Sequence, residues 1–274
     1  MQNPRSILLH LDGSARTGDR IALARRVAEA FDAEVTGAPC TLPALMRYPF
    51  ALAGAAEAVA VMRETDRIAR DRMRATFAAQ AAGSPRMHWT EPESDGPWQF
   101  ARRALYADLL ILGQHDAEDP LASELPDDFL SSLLVESGRP ALIVPYAGSF
   151  GLPGRTVLLA WKETPEAARA MSAALPWLRR AQRVHAVGYG EEAAASLPKL
   201  QACLQAHGIA EVSLHAGGAE EGDAGGRLLS LAADVDADLL VMGCYGHSRA
   251  REWILGGATR TILQAMTVPV LMSH

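Results

Sequence analysis

The chain has 274 residues, of which 49% are hydrophobic and 21% charged, with a formal net charge of −6. That is enough chain for one large or two ordinary domains, too apolar for a disordered protein, and too acidic for nucleic acid to be a general partner. The three cysteines, Cys40, Cys203 and Cys244, are scattered without metal or disulfide-framework spacing, which fits a reducing cytoplasm.

Short apolar runs alternate along the chain with longer, Ala-rich helical patterns. Ser6-Ile-Leu-Leu-His-Leu11 reads as a buried strand ending in Asp12-Gly13-Ser14, and a helical pattern follows over 18–31. A Pro-bearing loop from Thr41 leads into a long helix over about 55–82. Ala107-Asp-Leu-Leu-Ile-Leu-Gly113 is a second strand signal, followed by an acidic loop with Asp116, Glu118, Asp119, Glu124, Asp127 and Asp128. After a strand over 141–144, the glycines and proline of 147–154 make a short linker. Thr156-Val-Leu-Leu-Ala-Trp161 opens the remainder and ends in Lys162-Glu163-Thr164, with a helix over 165–180 and another within 191–208. Asp238-Leu-Leu-Val-Met242 is a buried strand, 258–265 a helix and 268–272 a closing strand. No apolar run approaches the roughly 20 residues of a membrane helix, and the N-terminus has no signal-peptide h-region. The expectation is a cytoplasmic protein with no membrane partner.

The second half repeats the first. The strand at 6–11 matches that at 156–161, Ala107–Gly113 matches Ala237–Gly243 nearly letter for letter, and Arg139–Pro145 matches Val268–Met272. The expected division is a domain over 1–148 and another over 154–274, each reading βαβαβαβαβ. That order implies an α/β fold: two doubly wound five-stranded parallel sheets with helices on both faces and ligand loops at the carboxyl edge. An apolar last strand leaves an unpaired edge unless something covers it.

The most specific stretch joins the strand at 238–242 to the helix at 258–265. A glycine-punctuated loop there opens onto a helix N-terminus, an arrangement that offers backbone N–H groups to phosphate. Gly243, two residues, Gly246, nine residues, Gly256 resembles the ATP-binding signature of the universal stress protein family, with Gly257 where that family has Ser or Thr and Thr259 supplying a hydroxyl nearby. The spacing fits neither the dinucleotide fingerprint nor the P-loop. With the repeat, the resemblance covers essentially the whole chain and is to a tandem member of the family. It implies an adenine nucleotide alpha hydrolase-like fold and two domains paired through their last strands (141–144 beside 269–272), an intrachain pseudo-dimer; if whole chains associate further, a two-fold homodimer is the usual form. It also implies ATP, with Mg if bound, held by Gly243, Gly246, Gly256, Gly257 and Thr259.

The resemblance further implies an Asp at the tip of the first strand for the adenosine end of the ligand. Asp12 fills that place in the first domain, whereas the second has Lys162, which cannot accept ribose hydroxyl hydrogens. The first domain has the Asp but an acidic loop in place of the glycines, and each like charge near a polyphosphate costs about 1 kcal/mol at a surface. A phosphate site is therefore expected in the second domain alone. Arg249, Arg251 and Arg260 add positive charge there. His115-Asp116 lacks a metal-ligand pattern, so no metal is expected. Cys244 near a helix start reads as filler or a redox-sensitive thiol. His10, His88, His185 and His215 read as packed or surface groups, and Trp161, Trp177 and Trp253 as filling between helices and sheet. No nucleophile elbow or zincin motif is present. Three readings stay open: a non-catalytic stress-response protein binding ATP in its second domain, a nucleotide-independent interaction module, and a slow ATP hydrolase.

Overall fold

A computed structural model describes residues 3–48, 56–91, 96–119, 121, 125–126, 128–218, 223–245 and 257–274. The first half runs β1 (Ser6–Leu11), α1 (Thr17–Phe31), β2 (Glu34–Pro39), α2 (Ala44–Arg47), α3 (Ala56–Ala81), β3 (Met87–Trp89), α4 (Pro97–Ala104), β4 (Leu109–Gly113), α5 (Phe129–Ser137) and β5 (Ala141–Val144). The second runs β6 (Thr156–Ala160), α6 (Pro165–Leu178), β7 (Arg183–Tyr189), α7 (Ala193–Ala206), β8 (Ser213–Gly217), α8 (Ala224–Asp234), β9 (Leu239–Gly243), α9 (Ala258–Ala265) and β10 (Val270–Ser273). The loop expected after Thr41 contains the short helix α2, which starts at Ala44 directly after Pro43.

The ten strands form one sheet in the order β3-β2-β1-β4-β5-β10-β9-β6-β7-β8. Every pairing is parallel except the central one, where β5 and β10 run antiparallel with Leu142 opposite Leu271. The expected pairing through last strands is present, and it covers the two apolar edges. In each half the strand order reverses direction beside the first strand, between β1 and β4 and between β6 and β9, which is where sheets of this kind open a crevice at their carboxyl edge.

Alternation along the strands divides the core into two layers. Ile7, Leu9, Leu109, Ile111, Val157, Leu159, Leu239 and Val241 face one side, and Leu8, Leu110, Leu112, Leu158, Leu240 and Met242 the other. Both layers run across the β5–β10 seam. Phe31 and Trp177 reinforce the first, with ring centroids 4.6 Å apart and the Arg180 guanidinium 5.3 Å over Phe31.

The repeated Ala-Asp-Leu-Leu has a structural cause. Asp108, just before β4, accepts the backbone N–H groups of Arg5 and Ser6 at 2.9 and 3.0 Å. Asp238, just before β9, accepts those of Gly154, Arg155 and Thr156 at 3.1, 3.1 and 2.9 Å. Each carboxylate thus satisfies the N–H groups at the start of the neighbouring strand, fixing the register that brings the carboxyl ends of β1 and β4, and of β6 and β9, side by side.

Candidate functional site

The crevice of the second half lies where β6 and β9 end. Lys162 stands exposed just past β6, and Thr164 caps α6 by accepting the Ala167 N–H, with Pro165 at the first helical position. Gly243 ends β9 under the first turn of α6. A Cβ added there would lie 2.5 Å from the Ala167 nitrogen and 2.6 Å from the Glu166 carbonyl carbon, so only glycine lets the helix start approach. Cys244 is buried, its N–H donating to Ser273 at 2.9 Å and its carbonyl accepting from the His274 ring at 3.1 Å. Tyr245 then turns the chain in the left-handed region at φ 56°.

Helix α9 begins behind Gly257, whose carbonyl accepts from Arg260 and Thr261 at 2.9 and 3.3 Å, and Thr259 is buried in its first turn. Helix α8 presses against α9 at Gly225, where a Cβ would come 2.5 Å from the Thr261 Cβ. The expected site residues Gly243, Gly257 and Thr259 therefore sit on the two elements that flank the loop. Gly246, Gly256, Arg249, Arg251 and Trp253 lie outside the described residues.

Sequence reasoning missed Glu166. It lies in the first turn of α6 beside Gly243, with one carboxylate oxygen held by Arg169 at 3.1 Å and the other, Oε2, buried without a hydrogen-bond partner among the described residues. Burial pushes this carboxyl up, but its own backbone N–H, the Thr164 hydroxyl and Arg169 hold it below the ordinary carboxylate range. The second half lacks the strand-tip Asp, yet it has an ionised carboxylate one helical turn away that can accept hydrogen from a hydroxyl.

The first half is built differently. Asp12, past the end of β1, is buried and accepts from the Ser14 N–H at 3.1 Å, the Ser14 hydroxyl at 2.6 Å and the Thr17 hydroxyl. The buried Arg20 guanidinium pairs with it at 2.7 Å. Burial alone would raise the Asp12 carboxyl; Arg20, His10 and the two hydroxyls hold it far below the usual range. The same guanidinium occupies the space above Gly113, where a Cβ would lie 1.7 Å from Nη1. Glycine there makes room for an arginine, whereas Gly243 makes room for a helix.

Described residues of the acidic loop lie beside this arginine. Asp119 accepts the N–H groups of Ala15 and Leu121 at 3.0 and 2.9 Å, and Asp116 accepts that of Glu118 at 3.1 Å. Glu124 and Asp127 lie outside the described residues. The cavity that Arg20, Gly113, Gln114, Asp116 and Asp119 line holds about 10 Å³, space for about one water. Gln114 is buried, donating to the carbonyls of Leu263 and Gln264 in the last turn of α9 at 2.9 and 3.2 Å while accepting the Tyr146 N–H at 3.1 Å. The strand end of one half thus caps the signature helix of the other.

Among the described residues, no group of three or more His, Cys, Asp or Glu side chains is placed to hold a metal, and no helix is long and apolar enough to cross a membrane. His10 is buried between Phe100 and Phe129, at ring distances of 5.5 and 5.3 Å. His185 and His215 meet across neighbouring strands at 2.9 Å, and His88 contacts Glu34 at 2.7 Å. Trp161 and Trp177 pack against the first core layer.

Residues 156–274 match the Universal stress protein family. A stretch of 81 residues is 36% identical to a universal stress protein of Synechocystis sp., spanning 29% of this chain and 26% of that protein, about a quarter of the relative's length. Among solved structures, a universal stress protein from Archaeoglobus fulgidus DSM 4304 is similar with a TM-score of 0.74 at 16% identity, over 99% of this chain and 96% of its own. A putative universal stress protein from Pseudomonas aeruginosa UCBPP-PA14 is similar with a TM-score of 0.54 at 16% identity, over 98% and 93%. At these identities the structures establish the fold along the whole chain.

Proposed function

Because residues 156–274 match the Universal stress protein family, we propose that this protein binds one adenine nucleotide, ATP with Mg, in its second half and acts in a stress response by binding rather than by catalysis. The observation that carries this reading is the difference between the two crevices. The first is filled by its own Arg20 and has space for about 10 Å³. The second keeps glycine at the strand end, a helix start pressed against it and a second helix start at Gly257–Thr259.

In this reading the residues 1–148 and 154–274 are two domains of unequal role. The Gly243–Thr259 loop, with Gly246 and Gly256, presents backbone N–H groups to the phosphates, favoured by the positive end of α9. Lys162 adds charge at the end of β6, and Glu166 accepts from a ligand hydroxyl in place of the missing strand-tip carboxylate. The output is a change in protein contacts when the ligand binds, in a cytoplasmic protein.

The test is native mass spectrometry of purified protein before and after adding ATP and Mg²⁺. One nucleotide per chain, lost in Gly256→Val with the fold retained, supports a single site in the second half. Two per chain would show that Arg20 does not block the first crevice. None at near-millimolar ATP would leave a nucleotide-independent interaction module, and turnover above a no-protein control would make the chain a slow ATP hydrolase.

A further inference from the structure

Helix α4 packs through Phe100 and Ala104, and Ala107 continues the buried row. The opposite side exposes Trp98, Arg102, Leu105 and Tyr106. Leu105 keeps helical backbone angles of φ −59° and ψ −22°, so Trp98, Arg102 and Leu105, spaced i, i+4, i+7, form one stripe with Tyr106 at its end. Trp98 is 78% exposed, Leu105 47% and Tyr106 87%.

The repeat supplies an internal comparison. Helix α8 is the same element of the second half and packs in the same way, through Leu228 and Ala232 with Ala237 following. Its matching outward positions are Gly226, Ser230, Ala233 and Asp234. The fold holds this helix in place without any large apolar group on the outer side, so the aromatic stripe of α4 serves something other than folding.

Three arginines, Arg102, Arg103 and Arg139, lie on or beside this helix. Arg102 has no carboxylate partner among the described residues. Arg139 donates to the Leu105 carbonyl at 2.5 Å and lies within electrostatic reach of Asp108, and Arg103 donates to the Thr90 hydroxyl and Glu91 carbonyl at 2.7 and 3.1 Å. Asp108, the nearest acid along the chain, is turned to the backbone N–H groups of Arg5 and Ser6. Among the described residues, the Arg102 guanidinium thus stands on this face without a carboxylate partner, on a chain whose net charge is −6. Trp, Tyr and Arg are also the side chains that dominate protein–protein binding energy.

We propose that this face of α4 is a docking site for an acidic amphipathic segment of a partner protein. Apolar side chains of the partner cover Trp98, Leu105 and Tyr106 while its carboxylates meet Arg102 and Arg139. The stripe is short and its cations few, which suits one helix-sized segment better than a nucleic acid or an anionic membrane surface.

A displayed library of random peptides about four helical turns long, selected on the full chain, tests this. The expected result is enrichment of sequences combining Asp or Glu with apolar residues at helical spacing, and their synthetic forms losing at least about tenfold in affinity, about 1.4 kcal/mol, for Trp98→Ala and for Arg102→Glu. Both positions are exposed, and thermal melting of each variant checks that the fold is kept. Failure to enrich such peptides, or equal binding by the variants, overturns the proposal. So does a wild-type dimer in sedimentation that Trp98→Ala dissolves, or tighter binding to a single-stranded oligonucleotide or to phosphatidylglycerol vesicles, since the occupant would then be of another kind.

Discussion

Arg20 and Asp12 face each other at 2.7 Å with both side chains buried, and the arginine also fills the space over Gly113. The first crevice thus carries its counter-ion within the chain. Removing one member of a buried pair leaves the other charge uncompensated, which costs about 3–5 kcal/mol, whereas removing both costs much less. Arg20→Leu should therefore lower the denaturant midpoint strongly, and Asp12→Asn added to it should recover most of the loss. A single variant with less than about 1 kcal/mol of effect would mean that water already reaches the pair.

His10 makes stability depend on pH. Burial pushes its imidazole from 6.5 down to about 4, against the pull of Asp12 and aided by Arg20. Between those values the unfolded chain binds a proton that the native one refuses, so this contribution is complete above pH 6.5 and declines as pH falls toward 4. The expected loss is about 3 kcal/mol over that window. Below it, protonation of Asp12, whose carboxyl lies well under the ordinary range, adds a further loss. His10→Leu should flatten the upper window and leave the lower one, as read by denaturant unfolding at stepped pH.

Gly225 sets how closely α8 approaches α9. An alanine gains about 1 kcal/mol of helix propensity, but its Cβ would stand 2.5 Å from the Thr261 Cβ and 3.0 Å from the Ala258 carbonyl. Overpacking of that kind costs about 1–3 kcal/mol, so Gly225→Ala should lower Tm. It should also weaken ATP binding if Gly257–Thr259 form part of the site. An unchanged Tm would show that α9 moves freely.

The paired aspartates before β4 and β9 should differ in weight. Asp238 serves three backbone N–H groups, two of them on the buried Gly154 and Thr156, while Asp108 serves two near the surface. Loss of a partner costs more where water cannot replace it. Asp238→Ala is expected to destabilise by about 2 kcal/mol and Asp108→Ala by less, with thermal melts of the two variants giving the order directly.

Strand periodicity and the duplicated Ala-Asp-Leu-Leu were enough to anticipate two doubly wound halves, because burial on both faces writes itself into unbroken apolar runs, whereas their joining at β5 and β10 followed from the family resemblance that the glycine loop carries. The contacts that distinguish the crevices were not readable. Arg20 looks like any helix arginine until the turn after Asp12 folds back, and the carbonyls held by Gln114 are some 150 residues away in the chain. Glu166 is one of several acids near a helix start, and only the close approach at Gly243 singles it out. The stripe Trp98, Arg102, Leu105 has a helical period, yet its outward direction follows from which face Phe100 and Ala104 bury.

The antiparallel seam of Leu142 on Leu271 has a consequence for composition. Two copies of such a half, if separate, would meet at a rate and extent set by their concentration, and each copy would have to serve both sides of the contact. Joined in one chain, the pair is always assembled, at a local concentration no cell could match by expression. Each half also always meets the same, different neighbour. An arginine can then settle permanently in one crevice and an aromatic stripe appear on one helix, since neither change is copied onto the other side.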